Sequence, residues 1–298
     1  MRYPIFISIL LLITTLACNQ NKPIEVSSGQ IEVIQLQSEY VDDRRVDVWL
    51  PEGYSEREKH AVVYMHDGQM LFDSTTTWNG QEWKVDEVLQ KLINEKKIRP
   101  TIVVGVYNNG DKRFIEYFPE KAIPNLPDSI ENQWARGKGR EAMADEYLSF
   151  LVNELKPEIE RRYAVHTGPA NTFIGGSSMG GLISLYALCE YPEVFGGAFC
   201  MSTHWIGMME DNRMVPRAIN AYVQNNLPDP ASHKIYFDHG TATLDANYPP
   251  HQDMIDSTFK AGEYTDEQYM SLEFEGHPHN EQAWSSRLHR PFKFLLGE

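Results

Sequence analysis

Short apolar runs alternate with stretches of helical periodicity along most of the chain. Residues 31–36 and 46–50 alternate polar and apolar side chains, which predicts an antiparallel pair of strands. Continuous apolar runs, typical of buried parallel strands, follow at 61–65, 102–106, 172–174 and 197–201, and two further strands are predicted at 235–237 and 270–274. Helices are predicted near 82–95, 141–162, 179–190, 214–225, 250–262 and 281–290. This order predicts an α/β fold with a mostly parallel central sheet, helices on both faces and ligand chemistry at the carboxyl ends of the strands.

Residues 119–139 interrupt this alternation with an irregular insertion. The segment contains three prolines and two glycines, and it is longer than a typical connection between helices and strands. Such a segment either forms a lid or rim over a site or is a mobile loop. We expect a rim.

The first 29 residues carry an export signal. Arg2 precedes an apolar run from Ile5 to Leu16, which is too short to span a membrane comfortably and indicates a cleaved signal peptide. Leu16-Ala17-Cys18 resembles a bacterial lipobox, although Thr15 stands where that pattern usually has leucine. We therefore expect a signal peptide at 1–17, a lipid on Cys18, a polar tether at 18–29 and a catalytic domain at 30–298. The protein would be a periplasmic or outer-membrane lipoprotein of a bacterial cell envelope, with plain secretion as the alternative.

Composition and charge limit the partners of this domain. The 298 residues are 42% hydrophobic and 23% charged, which suffices for one large domain with a buried core. The formal net charge is −15, and removal of residues 1–17 takes away Arg2 and leaves −16. Such an acidic surface disfavours nucleic acid and anionic lipid, so we expect membrane contact only through a lipid on Cys18. Nothing in the sequence indicates an oligomeric state.

Two cysteines remain after the signal. Cys189 lies in a helical apolar stretch and Cys200 in a strand-like one. An oxidising compartment would permit a disulfide between them, but two cysteines form no disulfide framework. We expect two buried free thiols.

A strand-like stretch and a helix-like stretch are joined by Gly176-Ser177-Ser178-Met179-Gly180. This run has the G-x-S-x-G form of a nucleophile elbow, a sharp strand-to-helix turn that presents its central serine. Only Ser178 fits the frame, because Ser177 would need glycine where Met179 stands. The pattern predicts Ser178 as a nucleophile, and the structural alternative is a turn rich in glycine and serine.

A nucleophilic serine needs a histidine to accept its proton and a carboxylate to orient that histidine. In folds with this elbow, the acid and then the histidine follow the serine along the chain. The loop after the predicted strand 235–237 contains Asp238 and Asp245, and the loop after 270–274 contains His277 and His279. The residues alone leave both choices open. A His-x-His pair could also bind metal, but no H-x-H-x-D-H or H-E-x-x-H arrangement accompanies it, so we expect no metal ion.

Several stretches together resemble the putative-esterase family of α/β hydrolases, which includes esterase D-like enzymes, enterochelin esterases, feruloyl and acetylxylan esterases and mycolyltransferases. They are residues 63–72, 102–106, 154–157, 176–181 and 274–284. The resemblance spans residues 45–296 and implies an α/β-hydrolase fold and a serine esterase that needs no cofactor. The family's final histidine, in a Gly-x-x-His-x-x-x-x-Trp context, corresponds to His279. Its acid, on a Gly-Thr loop, corresponds to Asp245.

Ester hydrolysis passes through an oxyanion that must be stabilised by hydrogen-bond donors. One donor in such sites is the backbone N–H of the residue after the nucleophile, here Met179. The resemblance implies that the second donor comes from the loop after the third strand. There the family's Asp-Gly-x matches Asp67-Gly68-Gln69 and indicates the N–H of Gln69. The alternative is a turn that merely ends the strand.

These features predict a serine esterase of the cell envelope. Its substrate would be an acyl or feruloyl ester of a polysaccharide, a siderophore ester or a related small ester. An acyltransferase with the same acyl-enzyme is one alternative, and a noncatalytic lipoprotein is another. Candidate pocket residues are Trp78, Trp83, Tyr107, Trp134 and Trp205, which could instead be core residues, and Asn108, Asn109 and Arg113, which follow a strand end.

Overall fold

One eight-stranded sheet organises the part of the chain that the computed structural model describes, which is residues 23–130, 141–208 and 211–297. Its strands are β1 Gln30–Leu36, β2 Arg44–Leu50, β3 Ala61–His66, β4 Thr101–Val106, β5 Thr172–Ser177, β6 Gly197–Met201, β7 Lys234–Gly240 and β8 Tyr269–Phe274. The spatial order is β1-β2-β4-β3-β5-β6-β7-β8. Strand β2 is antiparallel to both of its neighbours, and all other pairs are parallel. The predicted strands and the mostly parallel sheet are confirmed.

Nine helices lie within the described residues. They are α1 Val85–Asn94, α2 Arg113–Tyr117, α3 Ala144–Phe150, α4 Lys156–Arg162, α5 Met179–Glu190, α6 Met214–Asn225, α7 Pro249–Ala261, α8 Glu281–Arg287 and α9 His289–Leu296. A π-helical segment, Leu151–Leu155, joins α3 to α4. The helix predicted at 281–290 is instead two helices, because Pro291 cannot donate to the carbonyl of Arg287 but fits the first turn of α9. The short helix α2 was not predicted.

Alternate side chains of the strands pack into two hydrophobic layers, one on each face of the sheet. In β3, Val62 and Tyr64 belong to the first layer, whereas Val63 and Met65 belong to the second. Helices α2 to α7 cover the first layer, and α1, α8 and α9 cover the second. The predicted helices on both faces are confirmed. Because β3 to β8 are parallel, their carboxyl ends share one edge of the sheet.

Residues 24–28, which belong to the predicted tether 18–29, lie against the domain. The backbone N–H of Ser27 donates to the buried carboxylate of Asp86 (2.7 Å). Two apolar side chains of the segment pack on the layer beside α1, namely Ile24 and Val26. The folded domain therefore begins before the predicted boundary at residue 30. The segment can pack in this way because it alternates apolar and polar residues.

Residues 1–22 lie outside the described residues, and with them the predicted signal peptide 1–17 and Cys18. From residue 23 onward, no described helix combines the length and the apolar character needed to cross a membrane. The lipid anchor therefore stays a prediction.

Cys189 in α5 and Cys200 in β6 are both buried and carry free thiols, as expected. Burial raises the pKa of each thiol well above its ordinary value. Reactive cysteines are those that ionise readily, so neither thiol is suited to be a nucleophile.

The described part of the insertion, residues 119–130, packs against α6. The turn Glu120–Asn125 buries Ala122, and Nδ2 of Asn125 donates to the carbonyl of Ala218 in α6 (3.3 Å). None of these residues lines the cavity that contains Ser178. The expected rim is therefore wrong for residues 119–130, because their apolar side chains join the core. Residues 131–139 lie outside the described residues.

Candidate active site

Ser178 stands at the turn between β5 and α5, as the elbow pattern predicts. Its backbone has a positive φ (φ 57°, ψ −122°), and its N–H donates to the carbonyl of Met201 in β6 (2.9 Å). A Cβ atom on Gly176 would lie 3.2 Å from Cα of Gly180, so glycine lets the strand and helix pass closely here. Strain of this kind persists only where the surroundings fix the turn. The half-buried Ser178 lines a cavity.

Asp245 and His279 come from different loops and form a hydrogen-bonded pair. Asp245 lies in the turn Thr243–Asn247 after β7, and His279 lies in the loop between β8 and α8. The Nδ1 atom of His279 is 2.5 Å from Oδ1 of Asp245. Within the described residues, Nε2 of His279 has no hydrogen-bond partner, and His279 lines the same cavity as Ser178. The carboxylate thus orients the ring and leaves its second nitrogen available for proton transfer.

The carboxylate of Asp245 is fully buried and held by further donors. Its Oδ2 accepts from the hydroxyl of Ser202 (2.6 Å) and from the backbone N–H of Gly240 (2.6 Å). Burial acts to raise the pKa of Asp245, but His279 and these two donors outweigh it, and the pKa lies below its ordinary value. The carboxylate is therefore ionised at neutral pH.

Ser202, which directly follows β6, connects Asp245 to α8. Its hydroxyl oxygen accepts from Nε1 of Trp284 (2.9 Å) and from Nη2 of Arg287 (2.9 Å). Two donors occupy the oxygen, so its single hydrogen is directed to Asp245. Sequence reasoning missed Ser202. The available signal was a polar residue at the carboxyl end of the strand beside the elbow strand.

Asp238 and His277, the alternative acid and base, contact Arg287. Oδ1 of Asp238 is 3.0 Å from Nη2 of Arg287, and its carboxylate accepts from the hydroxyl of Tyr236 (2.8 Å). Burial raises the pKa of Asp238 despite the charge of Arg287. Nδ1 of His277 lies 3.3 Å from Nη1 of Arg287. In the described chain His277 does not line the cavity with Ser178, and the hydrogen bond from His279 goes to Asp245 and not to Asp238.

Two other histidines near the site lie against tyrosine hydroxyls. His66 at the end of β3 is fully buried against the hydroxyl of Tyr147 (2.9 Å), and burial lowers its pKa to about 3. Nδ1 of His204 lies 2.9 Å from the hydroxyl of Tyr248. Across the described ranges, no three His, Cys, Asp or Glu side chains are grouped as metal ligands would be.

An ion pair holds the loop after β3 beside the cavity. Asp67, which has a positive φ of 58°, accepts from Nε and Nη2 of Arg113 (2.6 Å each) and from Nδ2 of Asn108 (2.7 Å). Burial opposes ionisation of Asp67, but Arg113 and Asn108 hold its pKa below the ordinary value. A Cβ atom on Gly68 would lie 2.5 Å from the carbonyl of Gly105, so the loop can approach β4 only with glycine here.

The two predicted oxyanion donors lie at the starts of helical segments. Met179 is the first residue of α5, and Gln69 lies in the turn Gly68–Met70 and lines the cavity. Oε1 of Gln69 accepts from the backbone N–H of Asn108 (3.2 Å), which ties together the loops after β3 and β4. The first N–H groups of a helical turn lack partners within that turn. N–H groups at such positions are the kind of donor that an oxyanion site needs.

The cavity has a volume of about 860 Å³. Its buried apolar lining consists of Met70, Trp83 and Trp284. Its polar lining includes Gln81, Asn108, Arg113, Asn280 and Glu281. The space exceeds what a small acyl group fills, because pockets of this size bury drug-sized ligands.

The predicted pocket residues divide into two groups. Those that line the cavity are Trp78, Trp83, Asn108 and Arg113. The others have different surroundings: Trp205 is a core residue, Tyr107 packs on Arg45, and Asn109 donates to Asp42. Trp134 lies outside the described residues.

Relatives of the chain include characterised esterases. The family described as "Putative esterase" matches residues 38–295. Uncharacterized protein YbbA of Bacillus subtilis is 28% identical over 155 residues, which cover 52% of this chain and 54% of YbbA. Ferri-bacillibactin esterase BesA of the same species is 26% identical over 156 residues, or 49% of each chain. An endo-1,4-beta-xylanase/feruloyl esterase of Xylanibacter ruminicola is 24% identical over 201 residues, 65% of this chain and 23% of that protein. The chain thus spans about half, or less, of these curated relatives.

Solved structures with a similar fold include two esterases and a serine hydrolase. A ferulic acid esterase superposes with a TM-score of 0.64 at 18% identity, over 90% of this chain and 97% of that one. The enterobactin esterase of Shigella flexneri superposes with a TM-score of 0.63 at 16% identity, over 91% of this chain and 60% of that one. An IroE-like serine hydrolase of Shewanella oneidensis superposes with a TM-score of 0.65 at 19% identity, over 89% of this chain and 79% of that one. These superpositions establish the predicted α/β-hydrolase fold.

Proposed function

Because the chain belongs to the putative-esterase family, we propose that it is a carboxylic ester hydrolase with Ser178 as nucleophile, His279 as general base and Asp245 as the residue that orients His279. The hydrogen bond between Asp245 and His279, on a cavity shared with an elbow serine, is the observation that carries this proposal. All three residue types needed for the chemistry are present, which argues against a noncatalytic lipoprotein.

The reaction has two halves. In the first, His279 accepts the proton of the Ser178 hydroxyl while its oxygen attacks the ester carbonyl carbon. His279 then donates that proton to the leaving alcohol, and an acyl-enzyme remains on Ser178. In the second half, water attacks the acyl carbon with His279 again as the base, and the acid is released. Asp245 stays ionised and stabilises the imidazolium of His279. This chemistry requires no cofactor.

The backbone N–H groups of Gln69 and Met179 would stabilise the oxyanion of both tetrahedral intermediates. A donor in such a position lowers the barrier by roughly 3–4 kcal/mol. The proposal is supported by the turn that carries Gln69, which the Asp67–Arg113 pair fixes beside the cavity. The N-terminus of α5 adds its positive dipole end at Met179.

The names of the relatives suggest two substrate classes, feruloyl esters of polysaccharides and siderophore esters. Transfer of the acyl group to an alcohol other than water is the alternative outcome of the same acyl-enzyme. The direct test is turnover of 4-nitrophenyl acetate that scales with protein concentration, followed by product analysis with added acceptor alcohols. Acyl transfer to the acceptor in preference to water would make the protein an acyltransferase, and no turnover of a panel of acetyl, feruloyl and catecholate esters would contradict the proposal.

Ser202→Ala is expected to lower kcat while leaving KM nearly unchanged. The hydroxyl donates to Asp245, and in the described chain Ser202 does not line the cavity. A hydrogen bond to a charged group contributes about 1.5–3 kcal/mol, which corresponds to roughly tenfold to hundredfold in rate. Loss of this donor removes one of the causes that lower the pKa of Asp245, so that pKa should rise. His279 and Gly240 still lower that pKa, so Asp245 should stay ionised at neutral pH, and the loss should appear in kcat there.

The positive φ of Ser202 (44°) provides the control. Ser202→Gly also lacks the hydroxyl but relieves the backbone, so it should show the same kinetic defect with a higher melting temperature than Ser202→Ala. An unchanged kcat in both variants would mean that the hydroxyl does not influence Asp245.

Cys18→Ser is expected to release the protein from membranes or to leave its precursor unprocessed. We propose that a lipid on Cys18 anchors the protein, because the apolar run before it is too short to span and the acidic domain has no other reason to bind a bilayer. Expression in a Gram-negative host, membrane fractionation and mass spectrometry of the mature N-terminus check this. An unmodified terminus at another residue would indicate plain secretion and would leave the esterase proposal unaffected.

A further inference from the structure

Trp78 is an exposed aromatic side chain on the wall of the cavity that contains Ser178. Its exposed fraction is 84%, whereas Trp83 in the same lining is 3% exposed. Within the described residues, the Trp78 ring has no aromatic or hydrogen-bond partner. Covering the large apolar surface of a tryptophan is favourable, and an exposed ring forgoes this stabilisation. Such exposure beside a cavity therefore indicates a ligand contact.

The loop that carries Trp78 is fixed by its own hydrogen bonds. The hydroxyl of Thr76 donates to the carbonyl of Asp73 (2.8 Å), and the hydroxyl of Thr77 donates to the carbonyl of Ser74 (3.0 Å). On the other side of Trp78, Nδ2 of Asn79 donates to the carboxylate of Glu281 in α8 (2.9 Å). The ring is therefore held in solvent by an ordered loop, and a ligand that stacks on it has little loop entropy to overcome.

Polar groups that lack partners line the same cavity as this ring. Among the described residues, hydrogen-bond partners are absent for Nε2 of Gln81, Nδ2 of Asn280 and Oε1 of Glu281, and all three residues line the cavity with Trp78. Two of these groups donate and one accepts. Neighbouring hydroxyls of a sugar ring, which both donate and accept, match this mixture.

We infer that Trp78 is the stacking platform of a saccharide subsite, which binds the alcohol part of a glycan ester. This inference rests on the proposed esterase function and names the substrate class. Stacking on Trp78 covers one face of a sugar ring, while its hydroxyls bond to Gln81, Asn280 and Glu281. We assign the acyl group to the buried apolar side chains of the lining, Met70, Trp83 and Trp284.

Two other ligand chemistries fit less well. An aromatic acyl group is best bound in a slot with apolar walls on both faces, but the Trp78 side chain is largely exposed to solvent. An iron-loaded catecholate siderophore is a polyanion, and a chain with a net charge of −15 repels polyanions. A neutral saccharide needs no apolar slot and is not repelled by the negative charge.

The test compares two esters that share an acyl group, acetylated xylotetraose and 4-nitrophenyl acetate. For Trp78→Ala we expect kcat/KM to fall about tenfold or more on the sugar ester, mainly through KM, and to change less than twofold on 4-nitrophenyl acetate. Trp78→Phe should retain most of the activity on the sugar ester. Met214→Ala, which removes another exposed side chain away from this cavity, should behave as the parent on both esters.

A second measurement separates the subsite from catalysis. Calorimetric titration of the Ser178→Ala variant with xylotetraose should detect binding, and the additional change Trp78→Ala should abolish it. Equal losses on both esters, no loss on the sugar ester or a KM increase specific to methyl ferulate would overturn the saccharide subsite. Absence of xylotetraose binding would overturn it as well. A parent protein that binds xylotetraose but hydrolyses neither ester would instead contradict the esterase function and retain the subsite.

Discussion

Replacing Ser178 with alanine is expected to abolish ester hydrolysis without unfolding the protein. The hydroxyl is the proposed acyl acceptor, and loss of a serine nucleophile in comparable enzymes costs on the order of 10⁶ in kcat. Alanine keeps the Cβ atom and removes one oxygen from a half-buried side chain, so the melting temperature should change little. Initial rates on 4-nitrophenyl acetate and a thermal melt by circular dichroism measure both effects.

The neighbouring serine supplies the matched control for this variant. A fluorophosphonate probe should label the parent protein and the Ser177→Ala variant, and it should not label Ser178→Ala. Peptide mapping should locate the label on Ser178. A label on Ser177, or full turnover by Ser178→Ala, would refute the nucleophile assignment.

Losses of several orders of magnitude in kcat are also expected for His279→Ala and Asp245→Asn. His279 would be the base that meets Ser178, and Asp245 fixes its orientation through the 2.5 Å hydrogen bond. An aspartate-to-asparagine change at an equivalent position costs on the order of 10⁴ in kcat, because the amide favours the wrong tautomer of the histidine. Steady-state kinetics on the same ester should show the loss mainly in kcat.

His277→Ala is the matched control for His279→Ala, because the two histidines lie two positions apart in one loop. His277 contacts Arg287 and does not line the cavity in the described chain, so its loss should reduce kcat by less than about tenfold, in line with one weakened polar contact. Activity that survives in His279→Ala but disappears in His277→Ala would reverse the assignment.

Local sequence patterns sufficed for the strands of the fold. The eight strands and the elbow at Ser178 were predictable because each depends on neighbouring residues: an apolar run for a buried strand, and small residues around the serine for a sharp turn. The break between α8 and α9 was predictable in principle from Pro291. The order of the strands was not, because the pairing of β3 with both β4 and β5 joins segments far apart in the chain.

The choice between Asp238 and Asp245 shows the same limit within the site. Both follow β7, and the residues alone did not separate them. The contact that separates them is the hydrogen bond between His279 and Asp245, whereas Asp238 pairs with Arg287 of α8. Neither contact leaves a local pattern, because each links residues tens of positions apart.

By itself the sequence determined the class of fold, the nucleophile candidate and the acidic character of the surface, since these depend on local periodicity, on one five-residue turn and on composition. The family resemblance already indicated His279 and Asp245, but only the tertiary structure showed the hydrogen bond between them, the packing of residues 24–28 and 119–130 on the domain, and the exposure of Trp78 on the cavity wall. The physical reason is that burial and hydrogen bonding depend on which distant segments come into contact. Those contacts are determined by the packing of helices on both faces of the sheet.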